Sequence, residues 1–404
     1  MDTAHELILV GGALALLSIL AGAVSSRFNA PLLLVFLLLG VLAGEDGPGG
    51  IAFSDFRAAY LIGSVALAVI LFDGGLQTER AMIKAALWPA LALATVGVVL
   101  TAAIVAVAAA LILHLHWSEA LLIGAVLAPT DAAAVNTLLR GTGVAVPERV
   151  TAALEIESGI NDPMSVFLTV VLVQVLTLPG GVTVLHAALL FGEEMFGGAA
   201  IGIGAGYTLL WLLRRLPLDT PIYPVLAVAT VLTVFGGAQI AGASGFLAVY
   251  LMGVIVRINQ FEARRALVFA SGAFAWLAQI ALFLMLGLLV TPHKLLPIAV
   301  PVLAIAAVLI LVARPVATFL CLLPFGYDRR EAAFASWVGL RGAVPIYLAI
   351  IPVLAGTHNG VVLFGGTFGV VIASLVVQGW TISPVARLLG FGGDTRVAGP
   401  GQKG

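Results

Sequence analysis

The chain has 404 residues, of which 61% are hydrophobic and only 10% charged, against roughly 45–50% apolar and about 25% charged in ordinary soluble domains. That balance excludes a water-soluble fold, and a net charge of −1 without a polybasic or basic–aromatic cluster gives no reason to expect a nucleic-acid partner. The single cysteine, Cys321, lies in an apolar run; it leaves no disulfide framework or thiolate metal site and reads as a small packed hydrophobe.

The opening MDTAHELILVGGALALLSILAGAVSS has the apolar run of a secretory signal, but it carries Asp2 and Glu6 where a cleaved signal carries Lys or Arg. It therefore reads as a first membrane helix. A spanning helix needs about 20 mostly apolar residues. Gly, Pro and charge divide the chain into thirteen such segments, at about 7–25, 31–44, 58–76, 85–113, 119–140, 149–176, 186–213, 221–240, 243–257, 265–290, 296–323, 331–353 and 362–389. The second and ninth are short enough to be packed inside a bundle. Lys and Arg collect on the cytoplasmic side of membrane proteins. With the N-terminus outside, sixteen of the nineteen basic residues fall inside, among them Arg27, Arg140, Arg314, Arg396 and Lys403. Only Arg57 and Lys294 fall outside, and Arg341 lies within a helix. The expected organisation is thus a transmembrane domain over 1–390, N-terminus outside, and a cytoplasmic tail over 391–404.

An odd number of spans permits two inverted six-helix repeats joined by a linking helix, an architecture used by transporters. The fifth and twelfth spans would then be equivalent, and both are interrupted near their middles, by Ala128-Pro129-Thr130-Asp131 and by Gly339-Leu340-Arg341-Gly342-Ala343-Val344-Pro345. Proline inside a span frees backbone carbonyls and amides. Two plain proline kinks are the bland alternative, but paired breaks beside charges point to an ion site. The seventh span carries Gly198, Gly202 and Gly206 at four-residue spacing with no polar group beside them, a pattern for close helix packing.

Ionised side chains at the bilayer centre are costly and need a partner or a job. At about 1.5 Å per residue, Asp131 lies roughly 18 Å into the fifth span, Asp162 roughly 20 Å into the sixth and Arg341 roughly 15 Å into the twelfth. All three depths approach the middle of a hydrocarbon core about 30 Å thick. In the sixth span Glu155, Ser158 and Asp162 share one helical face, and Glu157 and Asn161 share the adjoining one. Asp162 with Ser158, and Asp131 with Thr130, offer hard oxygen ligands for Na⁺ or K⁺. Glu157 is placed to meet Arg341 as a buried ion pair. Three or four acids then face one arginine, so at least one carboxylate must take up a proton or a cation, and the two compete for the same oxygens. Asp73 and Glu155 receive no role. The six histidines have no metal-ligand spacing, and nothing calls for a cofactor or for catalysis.

The strings FDGGLQT (72–78), LAPTDAAAV (127–135), ESGINDPMSVFLT (157–169) and LRGAVPI (340–346) resemble those of the monovalent cation:proton antiporters, most closely the bacterial potassium/proton branch. The resemblance implies that Asn161 and Asp162 carry the transported ion, that Thr130 and Asp131 line the site, and that Glu157 pairs with Arg341. It further implies a homodimer in a bacterial plasma membrane in which one bundle moves against a scaffold. Asn rather than Asp before Asp162 resembles the electroneutral members. Longer relatives in this branch carry a cytoplasmic regulatory domain, for which GDTRVAGPGQKG leaves no room. A cation channel, a transport-dead cation sensor and an organic-anion symporter are the rival readings; the matched breaks, the lack of an output domain and the pairing of Arg341 weigh against them in turn.

Overall fold

The computed structural model describes residues 2–25, 31–139, 144–178 and 181–392. Arg27, Arg140, Arg396, Lys403 and residues 393–404 of the expected tail lie outside the described residues. In chain order the α-helices are α1 (Asp2–Ser25), α2 (Leu32–Ala43), α3 (Phe56–Gln77), α4 (Arg80–Ala92), α5 (Val98–Leu113), α6 (Trp117–Leu127), α7 (Ala132–Leu139), α8 (Glu148–Thr177), α9 (Val184–Arg215), α10 (Ile222–Ile240), α11 (Gly245–Ile258), α12 (Arg264–Leu288), α13 (Ala299–Val308), α14 (Arg314–Leu322), α15 (Arg329–Trp337), α16 (Ala343–Leu348), α17 (Ile350–Leu354) and α18 (Gly360–Leu388). Among the described residues there is no β-strand, and nine helical segments are long and apolar enough to cross a bilayer, with four shorter apolar helices beside them. The protein is an all-α, multi-pass membrane protein.

Local chemistry sets several boundaries. Asp55 caps α3 by accepting from the amides of Arg57 and Ala58, both at 3.0 Å, which satisfies donors a helix start leaves free. Asp328 and Glu331 form a reciprocal capping box at α15, at 2.7 and 2.9 Å. Two spans are continuous through a π-helical turn: Leu93–Gly97 joins α4 to α5 and Leu309–Ala313 joins α13 to α14. Such turns widen the helix and expose carbonyls, often at functional places; the Cys321 thiol, buried as expected, donates to the Ala92 carbonyl at 3.4 Å beside the first of them.

The helices pack as two bundles. In one, α11 lies against α3, α9 and α10, and α12 against α2 and α3. In the other, α5 and α8 lie against α6, α4 against α8, α14 against α15, and α13 against α18. Helix α11 is too short to span a bilayer but is enclosed, with Phe246, Val249, Tyr250, Met252 and Val256 buried. The glycine stripe of α9 makes this possible. A Cβ at Gly198, Gly202 or Gly206 would collide with Ser244, Ala248 or Ile255, at the cap and along the length of α11, so the two helix backbones approach as small residues allow. The bundles meet where α3, α11 and α12 face α8, α16 and α17.

Candidate ion-binding site

Helix α6 stops at Leu127 and the chain resumes as α7 at Ala132; α15 stops at Trp337 and α16 begins at Ala343. The two gaps touch, the Asp131 amide donating to the Leu340 carbonyl at 2.9 Å. A helix end exposes unsatisfied backbone groups, positive at the N-terminus and negative at the C-terminus. Here one side chain answers each sign. The Asp131 carboxylate caps α7 by accepting from the Ala134 amide at 3.0 Å. It also lies against Gly342, the residue before α16, where any Cβ would collide with it. The Arg341 guanidinium donates to the Leu127 carbonyl at 3.1 Å and to the Gly339 carbonyl, at the C-terminal ends of α6 and α15. Its own amide donates to Ser374 Oγ at 3.1 Å, fixing the gap to α18.

Beside this crossing lies a cavity of about 120 Å³, between the bundles, lined by Thr130, Asp131, Glu155, Ser158 and Asp162 from one and by Gln77, Tyr250 and Gln279 from the other. Asp162 is 8% exposed, and its Oδ1 has no hydrogen-bond partner among the described residues. Pro163 has no N–H to return to the Gly159 carbonyl, one turn back on the same wall. Ser158 stitches α8 to the break: its hydroxyl donates to the Thr130 carbonyl at 3.0 Å and accepts from the Ala132 amide at 3.3 Å. Asn161 is fully buried off the cavity wall, and its amide donates to Thr130 Oγ1 at 2.8 Å. It therefore positions Thr130 rather than facing the cavity. Glu155 is on the wall and accepts from Asn136 at 2.5 Å.

One expected pairing is corrected. Glu157 does not pair with Arg341. Both its carboxylate oxygens accept from Arg314, at 2.5 and 2.9 Å, and the two side chains are buried. Arg314 is one of the basic residues expected on the cytoplasmic side. Instead Pro315 occupies the first turn of α14, where it needs no donor, and the helix runs on from the π-turn, carrying Arg314 into the interior. Among the described residues the bundle thus holds two buried arginines, Arg314 and Arg341. The signal lay in the expected segment 296–323, whose nearer end is nine residues from Arg314; the structure carries the helical stretch on as Pro292–Phe325. Asp73 is buried on α3, outside the cavity wall, and accepts from Gln77 at 2.6 Å.

Two residues past Pro345, which lines the cavity, an aromatic cluster joins the two bundles. Tyr347 of α16 donates to or accepts from Ser64 at 2.7 Å, stacks on Tyr60 with ring centres 5.3 Å apart, and meets Phe246 edge-on at 6.1 Å. Its ring fills the space left by the missing side chain of Gly63. Among the residues lining the cavity, Gly74, Gln77 and Ala133 are exposed.

Carboxylates in a cavity shared by two bundles of membrane helices fit a transporter of cations. Residues 13–388 match the family described as "Sodium/hydrogen exchanger, transmembrane", and the chain belongs to that family; it is a cation/proton antiporter. It is 49% identical to the "K(+)/H(+) antiporter NhaP" of Alkalimonas amylolytica over 391 residues, 96% of this chain and 68% of that protein. It is 45% identical to the "K(+)/H(+) antiporter NhaP2" of Shewanella sp. (strain ANA-3) over 389 residues, 96% of this chain and 67% of that one. The fold is that of the sodium proton antiporter MjNhaP1 from Methanocaldococcus jannaschii, with a TM-score of 0.82 at 22% identity over 96% of this chain and all of that chain.

Proposed function

We propose that the chain exchanges K⁺ for H⁺ by competition of the two ions for the Asp162 carboxylate, one for one. The observation that carries this reading is the buried, unpartnered Asp162 oxygen facing a cavity whose nearby cations, Arg314 and Arg341, are engaged with Glu157 and with helix-end carbonyls. A buried carboxylate without a counter-charge takes either a proton or a metal ion. Asp131, Thr130 and Ser158 supply the remaining oxygens, and Asn161 holds Thr130 in place. Carboxylate plus monovalent cation and carboxylic acid are both uncharged, which makes the cycle electroneutral if Asp162 alone changes state. That the two relatives are named K⁺/H⁺ antiporters supports K⁺ as the cation.

The cavity opens toward the ends of α3 and α7 and the start of α8, the side that carries Arg80 and Arg149; by the distribution of basic residues that side is cytoplasmic and the N-terminus outside. Transport then requires the Tyr347 contact to open as the other mouth closes. The homodimer implied by the family belongs to the same proposal, and mass measurement in native lipid tests it.

The experiment is exchange in liposomes, with internal pH followed as K⁺, Na⁺ or Li⁺ is added. Asp162→Asn keeps the side-chain shape but neither holds charge nor releases a proton, and exchange is expected to vanish while thermal unfolding is retained. Residual cation-driven pH change in that variant would refute the assignment. A rate that responds steeply to imposed membrane potential would refute the one-for-one scheme.

A further inference from the structure

A second cavity, of about 330 Å³, lies within one bundle and away from the ion site. Its mouth is formed by Glu119, Thr357, His358 and Asn359, and its walls by aliphatic residues of α6, α13 and α18, such as Leu122, Val302 and Ile305. From Glu119 down to Leu127, both on the wall, the shaft is about 12 Å deep at the helical rise of 1.5 Å per residue. Among the described residues no Lys or Arg lines it. The mouth is ordered: Asn359 donates to Glu119 Oε1 at 2.9 Å, turning the carboxylate group into a fixed feature of the rim.

We propose that this shaft binds a single-chain amphiphile with an ammonium head, its alkyl tail against the aliphatic walls and its head against Glu119. The shape demands the tail. A largely aliphatic wall about 12 Å long suits an alkyl chain rather than a hydrated ion, and burial of methylene groups is its source of affinity. The charge demands the head, because the one side chain of fixed charge at the mouth is acidic. The ligand's inner end would stop at Leu127, whose carbonyl Arg341 holds, so occupancy would sit one residue from the crossing of the broken helices without touching the cation's oxygens.

The test is saturable binding of alkylammonium ions of increasing chain length to the purified protein in lipid nanodiscs, beside alcohols and sulfates of the same lengths. Affinity is expected to rise about fourfold per added methylene and to level off once the chain outgrows the shaft. Glu119→Gln should weaken the ammonium series at least tenfold and leave the alcohols unchanged. Gly366→Leu should abolish binding of both, since its Cβ would point into the shaft with Val302 as nearest neighbour at 3.7 Å. Liposome exchange by each variant without amphiphile shows that it is folded, and Val302→Phe is the second shaft-filling variant should Gly366→Leu fail there. Binding that does not saturate, or that persists with the shaft filled, is partition into lipid and overturns the site. Binding that prefers sulfates, or ignores Glu119→Gln, overturns the ligand class.

Discussion

Glu157 and Arg314 show what a buried charge asks of its neighbours. Each alone would strand an ionised group in the bundle, and removing one partner of such a pair costs about 3–5 kcal/mol. Arg314→Gln is therefore expected to lower the melting temperature sharply, and Glu157→Gln with Arg314→Gln to recover part of the loss. A double variant no more stable than the worse single one would mean the residues are not coupled. The sequence could be read as far as Glu157 being paired, since its helical face differs from that of Asp162 and Ser158. It could not be read as far as the partner, because depth and face do not tell which of two arginines on other helices stands opposite. Arg341 was legible as a midplane cation, but its work is with backbone carbonyls, which carry no sequence signature.

At the level of elements, the half-helices are stable because their ends are answered: Asp131 at two positive ends, Arg341 at two negative ones. The breaks could be placed from Pro129 and Pro345. Their mutual contact could not, because the bond from the Asp131 amide to the Leu340 carbonyl joins residues 209 apart in the chain, and no local pattern specifies it. Tyr347 was likewise invisible, an aromatic in an apolar run until Gly63 and Ser64 are seen beneath it. Tyr347→Phe removes only the hydroxyl, and a net hydrogen bond is worth about 0.5–1.5 kcal/mol. A cysteine replacing Val344 on the cavity wall, in a Cys321→Ala background, should then react about two- to tenfold faster with an impermeant thiol reagent added from the Tyr347 side. Unchanged labelling would show that this contact does not hold the mouth shut.

Across the whole molecule, the two bundles share a cavity and are also tied by connections. Asp46, between α2 and α3, accepts from the His293 amide at 2.9 Å and meets the ring Nδ1 at 2.7 Å, on the turn that leads from α12 toward α13. The His293 backbone bond, with its ring, lowers the Asp46 pKa below the ordinary carboxylate value. A carboxylate with a depressed folded-state pKa stabilises the fold above its unfolded pKa, and that contribution is lost as pH falls through the depressed value. Asp46→Asn is thus expected to melt earlier than the wild type at neutral pH, with the gap closing in acid. A gap that persisted with the carboxylate protonated would assign the tie to shape rather than charge.

The aromatic cluster has a thermal consequence. Parting Tyr347 from Tyr60 and Phe246 would wet two buried rings and the packed face of the half-buried Tyr60, and exposing apolar surface raises heat capacity. The step that opens this mouth therefore carries an enthalpy that grows with temperature, so the protein's turnover would bend on an Arrhenius plot wherever that step limits the cycle. A cell growing across a wide temperature range would find this step most sensitive to temperature at the warm end and least sensitive in the cold.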